Sequence, residues 1–433
     1  MKITVLNYYK VAGVKVVSRL ITNLSQNDKE ILRGLAGKIR ELAEAPKNYE
    51  KKQLWYSHNS LDSKRPMVLA FPEGSWGELL PENELKCEDK LARAWEYSLR
   101  QRIYTAEVIK DDNAVDSYFN IAWQINRGDF GVSVDKVHGA NRGSYVWQPA
   151  IRDINAEFHK LKFRNPSVDR KLTHDMVNLA EDIFGDLLSV RIRGTHWWTL
   201  GLTIEVIDLI GLENLMLFMY DDPEGLHRLM AWMRDEHLNY IGWMEKEGLL
   251  TDMNENDYTG SGGIGYTNEL PQKDRVQGMP ARLKDLWGFA ESQETVGVSP
   301  DMFGEFIFPY QLPLLEKFGL NCYGCCEPVD KRLDYILKIP NLRRLSVSPW
   351  ANENIVAERL GRNYIFSRKP NPALICVSFN EEEIRKDIRK TLSAAVNTNL
   401  EIIMKDTHTV ENQPWRIEKW VQIARQEVDK FLG

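Results

Sequence analysis

Three of the chain's five cysteines, Cys322, Cys325 and Cys326, fall within five residues, and Glu327 follows directly. Thiolates are soft ligands and strong nucleophiles, so such a cluster can hold zinc or supply a reactive thiol. A catalytic zinc keeps three protein ligands and one open position. Cysteine is also a small residue that packs well in cores, and Cys-Cys is not in itself a zinc spacing, so inert core is the alternative. Glu291 follows the apolar run 286–290 directly. It reads either as a metal ligand or general base, or as a strand-end carboxylate satisfied by nearby backbone or arginine. Lys405-Asp406-Thr407-His408 follows the run 400–404 in the same way. Asp406 is the nearer candidate, and His408 reads as a solvated loop histidine. His196-Trp197-Trp198 either stacks on an aromatic substrate or caps core.

The elements that carry these groups alternate. Apolar runs at 65–71, 118–124, 188–192, 286–290, 319–323, 345–347, 364–366 and 400–404 read as strands. Helical patterns at 89–109, 174–184, 202–210, 223–247, 330–337 and 381–396 separate most of them. This order predicts an α/β protein, a (β/α)₈ TIM-type barrel over 65–433. Residues 1–64 read as a mainly helical extension packed on its outside, with Ile31, Leu32, Leu35, Ile39 and Leu42 at helical spacing. A doubly wound sheet is the rival, but no G-x-G-x-x-G or G-x-x-x-x-G-K-[ST] opens a helix.

In such a barrel the site lies at the carboxyl ends of the strands. The residues found there are Glu73, Trp76, Glu291, Cys325, Cys326, Trp350, Arg368, Lys369 and Asp406. Strand ends of a parallel barrel face one cavity, so Glu291, Cys325, Cys326 and Asp406 are expected to converge closely enough to share one ion. Clustered thiols and carboxylates would otherwise repel. Sulfur favours zinc over magnesium. Glu291 and Asp406 are the catalytic candidates. Trp76, Tyr258 and Trp350 are expected to form a substrate wall, Arg368 or Lys369 to pair a substrate carboxylate, and Glu73 and Asn256 to contact substrate. The glycine-rich polar loop 254–263 is expected over the barrel mouth, with Asn256 or Tyr258 pointing inward.

Net charge over the 433 residues is −6, so no basic field grips a nucleic acid. No apolar run reaches the roughly 18 residues of a membrane span. Tyr8, Tyr9, Lys10 and Lys15 interrupt any leader-like core at the N-terminus, which predicts a cytoplasmic protein. The odd, sparse cysteines argue against a disulfide framework.

Several motifs together resemble the uroporphyrinogen decarboxylase superfamily, and more closely its corrinoid-methyltransferase-related branch. Arg65-Pro66-Met67-Val68-Leu69 is similar to that superfamily's opening strand. Glu291 through Ser299-Pro300-Asp301-Met302-Phe303 and Pro309-Tyr310 is similar to its acidic strand end followed by Ser-Pro-x-x-Phe and Pro-Tyr. Tyr323-Gly324-Cys325-Cys326 stands in place of the methyltransferases' His-x-Cys-Gly, and Asp406 lies where they place their last zinc cysteine. Lys369-Pro370-Asn371-Pro372 resembles the decarboxylases' Gly-Asn-x-Asp-Pro loop.

The resemblance implies a distorted (β/α)₈ barrel. It also implies a zinc-dependent methyltransferase component of the O-demethylase type. Such an enzyme moves a methyl group from a small O- or N-methylated substrate to a corrinoid on a partner protein. No Asp-x-His-x-x-Gly segment is present, so the corrinoid is expected on that separate partner. The decarboxylases' Arg-Gln-Ala-Gly-Arg segment is absent; Phe71-Pro72-Glu73-Gly74-Ser75-Trp76 replaces it. Porphyrinogen decarboxylation is therefore not expected. The alternatives are a cofactor-free decarboxylase or lyase using Arg368, Lys369 and Asp406, and a non-catalytic barrel with inert thiols. The extension remains open as a lid, a corrinoid-docking surface or the arm of a homodimer.

Overall fold

The computed structural model describes residues 24–134, 136–138, 145–194 and 197–433. Each apolar run read as a strand is one: β1 Met67–Ala70, β2 Tyr118–Ile121, β3 Ser189–Ile192, β4 Trp287–Ala290, β5 Leu320–Tyr323, β6 Leu342–Val347, β7 Ile365–Arg368 and β8 Asn399–Met404. Six of them form one parallel sheet in the order β1-β8-β7-β6-β5-β4. β2 and β3 form a separate parallel pair. Among the described residues no ladder joins β1 to β2 or β3 to β4, so the backbone bonding gives an α/β fold around an open sheet and does not close a barrel.

Loop groups occupy the two sheet edges instead. The amides of Val68 and Ala70 donate to the carboxylates of Asp112 and Asp111, at 2.8 and 3.0 Å, and Asp112 N donates to Val68 O. At the other edge Leu200 N donates to Phe289 O. These bonds satisfy edge groups that would otherwise be left unpaired.

β1, β4, β5, β7 and β8 are buried along their whole length, as continuous apolar runs in a parallel sheet require. Helices Glu381–Ala394 and Trp415–Leu432 pack together, the latter also against β1, burying Ile417, Trp420, Val421 and Val428. The N-terminal α1, Gln26–Glu44, is capped by Ser25 Oγ, which accepts from Asp28 N. It lays Leu32, Ala36 and Ile39 in a second core with Trp95, Leu99 and Phe184.

Two placements differ from expectation. α2, Pro46–Asn59, does not stay outside. Its last turn enters the molecule, where His58 Nε2 lies 3.1 Å from Glu401 Oε2 and Asn59 Nδ2 donates to Ile264 O and Tyr266 O. The 254–263 loop is a plug rather than a lid. Its hairpin, Tyr258–Thr259 paired with Gly263–Ile264, is seated against the strands, with residues 259–264 buried. Glycine allows this. A Cβ at Gly260, where φ is +60°, would stand 2.6 Å from Cys322 Cβ, and one at Gly263 would stand 2.4 Å from Arg344 Cζ. Among the described residues no helix is long and apolar enough to cross a membrane.

Candidate active site

The residues past β1, β5 and β8 meet the plug in one buried cluster. Cys325 Sγ lies 3.6 Å from Cys326 Sγ, and Cys326 Sγ lies 3.4 Å from Asp406 Oδ2. Lys405 Nζ sits among them, 3.7 Å from Asp406 Oδ1, 3.8 Å from Glu73 Oε1, 4.0 Å from Cys325 Sγ and 3.3 Å from Ser261 Oγ. Ser261 Oγ is itself 3.3 Å from Cys325 Sγ. Glu73 and Asp406, past the ends of paired neighbouring strands, both adopt positive φ, 47° and 58°. Asp406 N donates to Glu73 Oε2 at 2.9 Å.

The electrostatics follow from this packing. The Cys326 thiol beside it and the Lys405 ammonium hold Cys325 below the usual thiol pKa, against the effect of burial. Its ionised partner and burial push Cys326 up. Burial alone would lower Lys405, but the surrounding Cys325, Tyr258, Glu73 and Asp406 raise it well above the ordinary lysine value. Burial raises Glu73, partly opposed by Lys405.

Glu291 is completely buried, and burial together with Glu294, Glu327 and Cys325 raises its carboxyl well above the usual range. Its Oε2 accepts from Gln293 N, while Oε1 has no partner. Glu327 carries the structural load there, accepting from the amides of Ser292 and Cys325, both at 2.9 Å.

Zinc, which the resemblance implies, does not fit this arrangement. The thiol–thiol and thiol–carboxylate spacings are near those of neighbouring ligands, but the ammonium of Lys405 already lies among the anions. Among the described residues no group of three or more His, Cys, Asp or Glu side chains is arranged to hold a metal ion. The charge conflict expected from the sequence is resolved by a lysine.

The remaining candidates divide. Tyr258 points into the cluster, stacks edge-on to Phe71 with ring centroids 5.4 Å apart, and burial raises its hydroxyl pKa. Asn256 turns away to donate to Asn113 Oδ1 and Ala114 O, holding the loop to the segment before β2. Trp76 is core, packed on Tyr104. Trp350 is 68% exposed, on a turn that leads away from the sheet. Arg368 is buried but faces the helical layer, 3.3 Å from both Glu353 Oε2 and Asp387 Oδ1. Lys369, one residue on, points the other way and donates to Ser367 O and Oγ. Burial lowers its pKa to about 7. Trp76, Trp350 and Arg368 are thus not brought to the cluster. His408 is exposed, and His196 lies outside the described residues.

A cavity of about 1060 Å³ adjoins the cluster, sharing Phe71 and Tyr258 with it and walled by Trp123, Trp197, Trp198 and Phe289. Asn256 also lines it. Sequence reasoning did not assign Lys405 or Ser261 a role; for Lys405 the signal was its place directly after β8.

No protein-family model matches the chain, and no curated protein matches it in sequence. Among solved structures it is similar to a methyltransferase from Methanosarcina mazei, with a TM-score of 0.48 and 10% identity over 88% of this chain and 99% of that one.

Proposed function

We propose that the protein is a methyl-transfer enzyme acting on a small O- or N-methylated compound, and that its two strand arcs are the halves of a distorted eight-stranded barrel. The observation that carries this reading is the junction at Tyr258 and Phe71. An aromatic-walled cavity there lies beside a buried ammonium and a carboxyl whose pKa burial raises.

When a methyl group leaves oxygen or nitrogen, the bonding pair stays on that atom, which needs charge stabilisation and a proton. The Lys405 ammonium and the Tyr258 hydroxyl oppose the developing negative charge, and Glu73 supplies the proton. Asp406 positions Glu73 through its amide and accepts from Cys326. A Co(I) corrinoid on a separate partner, which the resemblance implies, would accept the methyl group and would supply the electron pair of the new bond. No step passes through zinc. The decarboxylase alternative loses its carboxylate clamp, because Arg368 is occupied by Glu353 and Asp387.

The test is to incubate the protein with methoxylated and N-methylated compounds and Co(I) corrinoid, free or protein-bound, and to follow cobalt methylation by absorbance. Glu73→Gln should lower the rate by about 10²–10⁴ without weakening substrate binding. If no O- or N-methyl compound methylates the cobalt, the reading fails.

A further inference from the structure

Cys325 and Cys326 are neighbours in the chain, and their sulfurs lie 3.6 Å apart. A disulfide bond is about 2.05 Å long, so the pair must close by roughly 1.5 Å to form one. The two halves are held differently. The Cys325 amide donates to Glu327 Oε2 at 2.9 Å, and its carbonyl accepts from Ser346 Oγ at 3.1 Å, which fixes this residue. Its side chain is buried, with Ser261 Oγ 3.3 Å from the sulfur. Cys326 is only half-buried, and its thiol donates to the partly exposed carboxylate of Asp406. A small oxidant therefore reaches Cys326 and not Cys325.

The other thiols stand apart from this pair. Cys322 is closed in beneath Gly260, with Arg344 Nη1 3.7 Å from its sulfur. Cys87 packs in the second core. Cys376, in the short helix Ala373–Cys376, is half-buried like Cys326 but has no other sulfur within hydrogen-bond reach among the described residues.

We propose that Cys325 and Cys326 form a reversible vicinal disulfide, with a hydroperoxide as the oxidant. The Cys326 sulfur attacks one peroxide oxygen. An S–O bond forms, the O–O bond breaks, and the other oxygen leaves as water with the thiol proton, which passes through Asp406. The Cys325 sulfur then displaces the hydroxyl from Cys326. The S–S bond forms, the S–O bond breaks, and a second water leaves with the Cys325 proton. Over both steps the two sulfurs give up two electrons, which reduce the peroxide to water. Closure takes Cys325 from Lys405 and Cys326 from Asp406, so oxidation takes the cluster apart. Adjacent α-carbons are about 3.8 Å apart, short of the roughly 4.4–6.8 Å that a disulfide usually spans. The closed ring is strained, and strained disulfides are readily reduced, which makes the pair a switch rather than a staple. This goes beyond methyl transfer and stands apart from it, since neither methyl donor nor cobalt enters the test.

The reduced full chain is treated with equimolar hydrogen peroxide, the remaining thiols are alkylated, and peptides are mapped by mass spectrometry. The peptide holding Cys325 and Cys326 should lose two hydrogens at least tenfold faster than Cys376 loses its thiol, and dithiothreitol should restore it. Cys325→Ser should stop at a sulfenic acid on Cys326 that dimedone traps, and Cys326→Ser should leave Cys325 unlabelled. If either variant fails to fold, as melting would show, the wild-type peptide map decides alone. A disulfide that joins other cysteines, no disulfide at all, or loss no faster than at Cys376 overturns the proposal, as does a bond that dithiothreitol does not open. Dimedone on Cys325 in Cys326→Ser refutes Cys326 as the point of entry.

Discussion

A methyl group added at Gly263 would stand 2.4 Å from Cζ, 2.5 Å from Nη1 and 2.6 Å from Nε of Arg344. That guanidinium is buried and has polar neighbours on three sides. Nε lies 2.8 Å from Glu401 Oε1, Nη1 donates to Thr259 Oγ1 at 2.7 Å, and Nη2 donates to Asn59 Oδ1 at 2.7 Å. Glu401 is fully buried as well, and despite that burial Arg344, His58 and Lys369 hold its carboxyl well below the usual range. Gly263→Ala must therefore expel either the hairpin, which takes Thr259 Oγ1 and Ile264 O from the guanidinium, or the guanidinium, which breaks its buried ion pair with Glu401 at a cost of about 3–5 kcal/mol. Gly278 supplies the control. Its φ is +83° and a Cβ there meets nothing within 4 Å, so Gly278→Ala adds backbone strain alone, about 1–2 kcal/mol. Urea unfolding of the two variants, with the slope of the transition held as a check on the denatured state, measures the difference. Gly263→Ala should lose at least about 2 kcal/mol more than Gly278→Ala. Equal losses would mean that the hairpin does not sit on β6 as described, and the placement of Tyr258 and Ser261 would fall with it.

Lys405→Met should raise the Cys325 pKa, seen as a shift in ultraviolet thiolate absorbance, and should let zinc bind at least tenfold more tightly than to the wild type in equilibrium dialysis; unchanged values would show that the ammonium does not take a cation's place. Arg368→Ala should destabilise by less than about 3 kcal/mol, because Glu353 keeps Lys390 and the Thr391 hydroxyl when it loses the guanidinium, and should leave methyl transfer by the folded protein unchanged; lost transfer at unchanged stability would return Arg368 to the substrate site. Burial raises Asp111 from 3.8 to about 6. A raised carboxyl favours the folded state while protonated, so its contribution is complete below pH 3.8 and is lost as pH rises to about 6. At 1.36 kcal/mol per unit this is about 3 kcal/mol. The stability of Asp111→Asn relative to wild type should rise by about that much across the window, and a constant difference in denaturation midpoints would refute it.

The strands were readable because a parallel strand covered on both faces must be a continuous apolar run, and prolines or polar turns bound several of these. The strand ends therefore came out in the right places, and with them Cys325, Cys326, Glu73 and Asp406. What a strand end does not reveal is direction. Arg368 and Lys369 are adjacent, yet one reaches the helices and the other the interior, because successive side chains alternate across the sheet. Trp350 follows β6 but sits on a turn that leaves the sheet. The cation of the cluster was sought as a metal, although Lys405 stood in the same tripeptide as Asp406. The plug was foreseen as a loop with function, but its depth depends on glycine contacts with residues distant in sequence.

The hairpin also sets the order in which the molecule can become competent. Its bonds reach back 205 residues to Asn59 and forward 85 to Arg344 and 144 to Lys405. Contacts of such span are slow to form, since both ends must be in place before either is rewarded. The hairpin can settle only after α2, β6 and the residue following β8 have assembled around it. Ser261 thus meets Lys405 and Cys325 only in a chain whose strands have already assembled.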